Sequence, residues 1–441
     1  MDPVSLTIRE YRHDVDRRLV EEVERICEVG PSGKLSLYTD LLGDPLCRVR
    51  NSPSFLMLVI HPSPSHSLVP FFFPSSFFIP TIDLPLRIKQ VAETETGAGE
   101  EVREIVGMVR GCVKTVTCGK RLSRQGKHGH GLLRHVPVYT KVGYILGLRV
   151  SPHHRRKGIA SRLVGAMETW LIQNGADYSY IATENDNAPS VALFTRRCGY
   201  SKFRTPALLV NPVHAHDLRI PSRRLSVIRL RVPDASLLYR ERLSTTEFFP
   251  RDIDAVLSNP LSLGTFLAVP RGYAPSWDGI LSFLADPPES WAVLSVWNCK
   301  DSFRLEVKGA SRLVRVLVSA GRALDRALPF LGLPSFPEIF RPFGGHFVYG
   351  LGGEGPDAAG MVRALFRVTH NLARRHGCEV VATEVARGDP LREGIPHWKR
   401  LSCPEDLWCV KRLGEDYSDG AIGDWTKSPP GLSIFVDPRE V

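Results

Sequence analysis

The chain has 441 residues, 43% hydrophobic and 24% charged, a balance that excludes a disordered or fibrous protein. That length exceeds one ordinary hydrophobic core, so two or three domains are expected. The net charge of +10 suits an acidic partner, yet no Lys/Arg run approaches a DNA-binding arm, and direct nucleic-acid binding is not expected. Nine cysteines include no C-x-x-C and no zinc spacing, which points to reduced thiols in cytosol or nucleus and to no metal site. Met1-Asp-Pro-Val-Ser-Leu-Thr lacks a basic flank and an apolar core, so no secretion signal is expected.

The chain opens with a predicted strand at Leu6 to Tyr11 and a helix from Val15 to Cys27, with Leu19, Val20, Val23 and Ile26 on one face and Asp14 as N-cap. A second helical stretch is expected near Leu35 to Leu42. Phe55 to Leu58 and Ile105 to Val116 predict an antiparallel pair, and 117–138 a Lys-, Arg-, His- and Gly-rich solvated loop. Between them, Val59 to Gln90 reads unlike its surroundings. It is rich in Phe, Ser and Pro, and Pro70, Pro74, Pro80 and Pro85 leave no run long enough to span a membrane. Phe, Ser and Pro have codons that a pyrimidine tract produces, Val can begin with GT and Gln can be CAG; a retained intron is the expectation, and no function is assigned to the segment.

Strand Val142–Val150 leads into Ser-Pro-His-His-Arg155-Arg156-Lys157-Gly158-Ile159-Ala160-Ser161, and a helix from Ile159 to Asn174 that Gly175 ends. A helix N-terminus leaves amides unpaired and adds the helix dipole behind them, which together receive a pyrophosphate. Small residues at 158 and 160 let the anion reach the backbone. Strand Tyr178–Thr183, a short helix Ala188–Cys198 and a closing strand Tyr200–Val210 follow. The spacing Arg155-x-x-Gly158-x-Ala160 after a strand resembles the acetyl-coenzyme A signature of the GNAT acetyltransferases, as does the order of elements over residues 5–212. The fold class expected is therefore α/β with a mixed α+β sheet, a GNAT acetyltransferase fold.

The second half repeats the plan, with strands at Ser226–Arg231, Leu263–Val269, Ala292–Cys299, His346–Leu351 and Val380–Glu384, and helices at Ala235–Leu243 and Pro356–His376. Ala182-Thr183-Glu184 recurs as Ala382-Thr383-Glu384. These repeats predict a tandem: a GNAT domain at 1–215, a linker at 216–225, a degenerate GNAT-like copy at 226–415 and a tail at 416–441. Its phosphate loop, Leu351-Gly-Gly-Glu-Gly-Pro356, lacks the arginine spacing, and Glu354 and Asp357 would repel a pyrophosphate.

The GNAT resemblance implies acetyl-coenzyme A as cofactor, with the pantetheine arm paired to the backbone of Leu148, Arg149 and Val150 and the pyrophosphate on Arg155, Arg156, Gly158, Ile159, Ala160 and Ser161. It further implies a cofactor contact at Asn187, and at Phe194 the position where the family often carries a proton-donating Tyr. For catalysis two residues stand out: Glu184, ending a strand beside the cleft, and Tyr144, which an N-terminal acetyltransferase branch of the family shares. That branch has a His where this chain has Ala182. A free α-amine is roughly a tenth neutral at pH 7 and a lysine only about one part in a few thousand. A site without a strong base thus suits an N-terminal amine, or needs a relay to Glu184 for lysine.

The segments Cys27-Glu-Val-Gly-Pro-Ser-Gly-Lys-Leu-Ser-Leu, Ser244-Thr-Thr-Glu-Phe-Phe-Pro-Arg-Asp-Ile-Asp, Glu289-Ser-Trp-Ala-Val-Leu-Ser-Val-Trp-Asn-Cys and Asp424-Trp-Thr-Lys-Ser-Pro-Pro-Gly resemble the plant HOOKLESS-type N-acetyltransferases. That family implies hormone-controlled growth, a nuclear location with cytoplasm as the alternative, and a protein substrate, histones included. Three readings stay open: transfer of acetyl to a protein amine, a non-catalytic adaptor on the same fold, and a small-molecule amine acetyltransferase. An acidic cleft would favour basic peptides or polyamines, an apolar one neutral amines. Oligomeric state is not legible.

Overall fold

The computed structural model describes residues 6–27, 36–62, 104–124, 134–414 and 423–441. In the first half these form β1 (Leu6–Glu10), α1 (His13–Ile26), β2 (Ser36–Asp40), β3 (Ser54–Pro62), β4 (Gly107–Arg124), β5 (Arg134–Val150), α2 (Ile159–Gln173), β6 (Tyr178–Glu184), α3 (Ala188–Ala192), β7 (Ser201–Arg204) and β8 (Ala207–Pro212). The second half adds β9 (Leu225–Leu230), α4 (Val232–Arg242), α5 (Ile253–Ser258), β10 (Ser262–Pro270), α6 (Ile280–Ala285), β11 (Trp291–Asn298), β12 (Arg304–Lys308), α7 (Arg312–Ala327), β13 (Gly345–Glu354), α8 (Ala358–Arg375), β14 (Val380–Val385) and β15 (Asp406–Arg412).

Two mixed sheets carry the fold, in the orders β1-β3-β4-β5-β6-β15-β7 and β8-β14-β13-β11-β10-β9. α2 lays Leu163, Val164, Met167 and Leu171 on the first sheet, and α8 lays Met361, Val362, Leu365 and Phe366 on the second. Each sheet has one parallel pair, β5 with β6 and β13 with β14. In each, a glycine with positive φ, Gly147 or Gly350, follows three residues after the aligned position Tyr144 or Phe347. At Gly147 the β4 register slips between Met108 and Arg110. That bulge turns β5 away from β6.

The sheets exchange strands. β15, from the end of the chain, enters the first sheet with Trp408 opposite Ala182, while β8 crosses to the second with Val210 opposite Ala382. The single strand expected over 200–210 is thus two strands in two sheets, broken at Pro206. A large apolar core is common to both sheets, joining Val116, Tyr178 and Tyr180 to Leu238, Phe249, Trp297 and Tyr349.

Five further expectations are corrected. Of the stretch near Leu35 to Leu42, Ser36–Asp40 is not helical but forms β2, which pairs with β12 far along the chain, and Leu35 lies outside the described residues. Asp14 is not the cap of α1; Asp16 accepts from the Arg12 amide at 2.7 Å and is held by Arg9 at 2.6 Å. Residues 117–124 and 134–138 belong to the long β4–β5 pair rather than a loop, and His128 and His130 lie outside the described residues. Val59–Pro62, read as the start of the intervening segment, end β3, with Val59 and Ile60 buried; the rest of that segment is outside the described residues. The expected tail also packs inward: Trp425, Phe435, Val436, Arg439 and Glu440 are buried.

Candidate active site

The turn from β5 into α2 keeps its amides exposed to a ligand. Gly158 takes φ 77° at the N-cap position, a conformation costly for any residue with a Cβ. Arg156 adopts φ 64°. The first capping bond of the helix runs from Arg162 N to Gly158 O at 3.1 Å. Among the described residues, the amides of Arg156, Lys157, Gly158, Ile159, Ala160 and Ser161 find no acceptor. A Cβ built on Gly158 meets no atom within 4 Å, so the space above this turn is open. Ile159 is the buried anchor of the turn.

The same strand offers a free edge. β5 pairs with β6 only at Val142–Tyr178, Gly143–Ser179 and Tyr144–Tyr180. Beyond Tyr144 the strands part, and the β6-facing edge of Leu148, Arg149 and Val150 has no strand beside it. The Arg149 side chain reaches Glu24 at 3.2 Å and Leu148 O at 3.4 Å, and Val150 O accepts from Arg155 Nε at 3.3 Å and Cys27 Sγ at 3.4 Å. Free amides at a helix N-terminus in line with a free strand edge fit a pyrophosphate followed by an extended, amide-bearing arm.

Two expected cofactor residues have other duties. Asn187 caps α3, its Oδ1 accepting from Ser190 N at 3.2 Å. Phe194 is 4% exposed and packs edge-on to Tyr200 at 5.3 Å in the core beneath α2.

Carboxylates line the mouth where β5 and β6 separate. Glu184 stands exposed at the end of β6, opposite Asp406 of β15. Asp406 is half-buried; burial and then Glu184 push its carboxyl up to about 6. Glu384, at the end of β14, accepts from Trp408 Nε1 at 3.0 Å. Burial first, then Asp406, push Glu384 up to about 8, although its side chain stays in part accessible. Glu440 comes up from the chain terminus, bonded to Lys114 Nζ at 2.6 Å and Tyr180 OH at 2.5 Å.

Tyr144 stands among them, half-buried and stacked on Tyr180. Burial, then Glu440, raise its phenol well above the ordinary value, so it stays protonated. Tyr144 sits with Glu384, Asp406 and Glu440, and the other expected base, Glu184, lies beside Asp406 on the exposed rim. Glu384, Asp406 and Glu440 escaped the sequence reading. The recurrence of Ala-Thr-Glu did mark Glu384, but as a symptom of duplication.

The second loop is closed. Gly355 sits where an added Cβ would meet Glu289 O at 1.9 Å, Asp357 N donates to Ser290 Oγ at 3.1 Å, and Glu354 faces Arg242 at 3.5 Å. Among the described residues no cluster of three or more His, Cys, Asp or Glu could hold a metal ion, and no helix is long and apolar enough to cross a membrane.

A mixed sheet whose parallel strands part beside an open helix N-terminus defines an acyl-coenzyme A-dependent transferase of the GNAT class. The acetyltransferase (GNAT) family model matches residues 74–200. The chain is 60% identical over 446 residues to "Probable N-acetyltransferase HLS1-like" of Arabidopsis thaliana, covering 99% of each. It is also 60% identical to "Probable N-acetyltransferase HLS1" of the same plant, over 98% of this chain and 99% of that one. It therefore belongs to the plant HLS1-like family of GNAT N-acetyltransferases. Among solved structures, N-myristoyltransferase of Saccharomyces cerevisiae with bound myristoyl-CoA is similar at 9% identity, with a TM-score of 0.49 over 96% of this chain and 88% of that one.

Proposed function

We propose that the chain transfers acetyl from acetyl-coenzyme A to a cationic protein amine, with a lysine side chain, histone lysines included, as the acceptor. The observation that carries this reading is the carboxylate row of Glu184, Asp406, Glu384 and Glu440 where β5 and β6 part. Glu184 on the rim and Asp406, whose carboxyl near 6 is ionised at pH 7, attract an ammonium; Glu384, near 8, joins them only at higher pH, and Glu440 is already paired with Lys114. The open amides of residues 156–161 hold the diphosphate, and the free edge of Leu148–Val150 aligns the arm. When bound, acetyl-coenzyme A supplies the thioester.

Glu384 takes the proton that the ammonium must lose. With its carboxyl near 8, it is a far better match to a lysine than an ordinary glutamate near 4.3. Attack then forms the carbon–nitrogen bond and breaks the carbon–sulfur bond. Tyr144, kept protonated, donates to the leaving sulfur, the role for which Phe194 has no hydroxyl, and its oxygen recovers a proton as the acylated nitrogen sheds its second one. Asp406 and Glu184 hold the cation at the mouth. The second sheet is a degenerate GNAT-like copy that keeps the glycine bulge and has lost the phosphate turn, supplying Glu384 instead of a second cofactor. A nuclear site of action accompanies this reading and is checked by imaging a fluorescent fusion.

The test is calorimetric titration of acetyl-coenzyme A into wild type and an Arg156→Glu/Gly158→Asp variant, followed by acetylation of lysine and N-terminal peptide panels. Binding that the variant loses, with lysine peptides acetylated, supports the reading. Binding without acetylation of any peptide sinks the protein-amine assignment.

A further inference from the structure

The connection between β2 and β3 is laid across the first sheet on the side of Tyr144. Arg110 Nε donates to Pro45 O at 2.5 Å, and Asn259 Nδ2 to Asn51 Oδ1 at 3.1 Å. Val49, fully buried, packs with Cys112 and Leu146, with Tyr144 at the margin of the same cluster. Between these anchors sits Arg48, its guanidinium 5.7 Å above the Phe303 ring.

Among the described residues, the charge of Arg48 is not paired by direct contact. Its Nε is sealed from solvent without a hydrogen-bond partner, and among the described residues no carboxylate forms an ion pair with it. The titratable groups that act most strongly on it are Tyr144, Arg110, Cys47 and Arg149, and it acts in turn on Cys299. None is an anion. Glu24, whose anion Arg48 also favours, is occupied by Arg110 at 2.8 Å and Arg149 at 3.2 Å. Arg48 is part-buried; a sealed Nε without a partner is costly, and the planar fork of a guanidinium is shaped for a carboxylate.

We infer that Arg48 is the specificity residue of the acceptor site and holds a carboxylate of the acceptor, whose ammonium faces Glu384 and Asp406. The inference rests on the acetyl-transfer reading and narrows its substrate class: an amine with a carboxylate a few bonds away. A free amino acid meets that description, and so does a peptide amine beside an acidic residue.

Matched acceptors test it: lysine against lysine amide, and lysine peptides flanked by Glu against the same peptides flanked by Gln. Wild type prefers the acid of a pair by about tenfold in kcat/KM. Arg48→Gln brings the ratio near one by raising KM for the acid, and Arg48→Lys restores part of it. A preference confined to free amino acids names a small-molecule acceptor; one confined to peptides names a protein. An equal ratio in wild type and Arg48→Gln overturns the inference. A second measurement needs no acceptor. Arg48→Met raises the thermal midpoint of the unliganded protein, and added malonate raises the wild-type midpoint more than that of Arg48→Met. A fall in the midpoint, or an equal malonate response, assigns Arg48 to the fold and overturns the inference. Failure to bind acetyl-coenzyme A would instead remove the transfer reading and leave these midpoints to be judged alone.

Discussion

Tyr144 and Tyr180 stack with ring centroids 4.5 Å apart and planes 15° from parallel, and they are the last pair that β5 and β6 share. On one side of the stack the backbone runs on to the phosphate turn. On the other, Tyr180 donates to Glu440 and begins the carboxylate side of the cleft. The stack therefore fixes the distance between donor and acceptor halves of the site, and strands contributed by both sheets meet there.

Glu384→Gln is expected to lose activity and gain stability, the second only at high pH. The folded carboxyl binds its proton up to about 8, against about 4.3 in the unfolded chain. The folded state thus holds more protons between those values, so stability falls as pH rises through that window and stays low above it. The variant should unfold at a higher temperature than wild type at pH 8.5 and at the same temperature near pH 4. Its kcat should drop by about a hundredfold or more, and the rising limb of kcat/KM near pH 8 should disappear. That limb belongs jointly to Glu384, Asp406 and Glu440. Parallel pH profiles of wild type and variant would remove Glu384 from proton transfer.

Gly147→Ala is expected to damage the site through Arg110. Gly147 sits at φ 61°, and an added Cβ would lie 2.4 Å from Arg110 Nη1. That guanidinium is buried on Glu24 and Pro45 O. Left-handed strain costs about 1–2 kcal/mol, and disturbing a buried pair costs about 3 kcal/mol more. Urea unfolding should show a loss on that scale. A loss under about 1 kcal/mol would mean that Arg110 relocates freely.

The first half of the fold was legible because its signals are local. The apolar face of α2, Gly175 at its end and the phosphate-turn spacing each need only neighbouring residues, and the turn at 155–161 stands open as its glycine implied. The missed elements depend on distant partners. The stretch around Leu37 to Leu42 has apolar residues at spacings compatible with a helix, and only β12 makes it a strand. Glu184 and Glu384 look alike in sequence, each ending Ala-Thr-Glu. Strand exchange turns the second into the cleft beside Trp408 and leaves the first on the rim. Glu440 follows a Pro- and Gly-containing segment that reads as a tail, and its burial arises from Lys114, over three hundred residues earlier.

The Lys114–Glu440 pair should behave as a buried ion pair in a mutant cycle. Lys114 Nζ lies 2.6 Å from Glu440 and 3.6 Å from Asp437, and Arg439 binds Asp437 at 2.7 Å and Asp252 at 2.6 Å. Glu440→Gln leaves the lysine short of one anion in the core, at an expected cost of about 3 kcal/mol. Lys114→Met leaves the glutamate to take up a proton. The double variant should be more stable than the sum of the singles predicts, by at least about 1 kcal/mol in denaturant unfolding. Additive singles would show that the terminus is held by Arg439 alone.

Gly158→Val separates the fold's need for this glycine from the ligand's. Backbone strain at φ 77° costs about 1–2 kcal/mol, and the new side chain meets no protein atom within 4 Å of its Cβ. The protein should therefore fold with a thermal midpoint only a few degrees lower. The space that the side chain enters is the one the diphosphate needs, above amides 156–161. Titration should show acetyl-coenzyme A affinity falling by more than about tenfold. Coenzyme A without the acetyl group should fall equally, because the lost contact is to the diphosphate. Gly158→Ala should lie between, since a methyl group intrudes less. Wild-type affinity in the folded valine variant would mean that the diphosphate sits elsewhere, and the open turn between β5 and α2 would lose its assigned role.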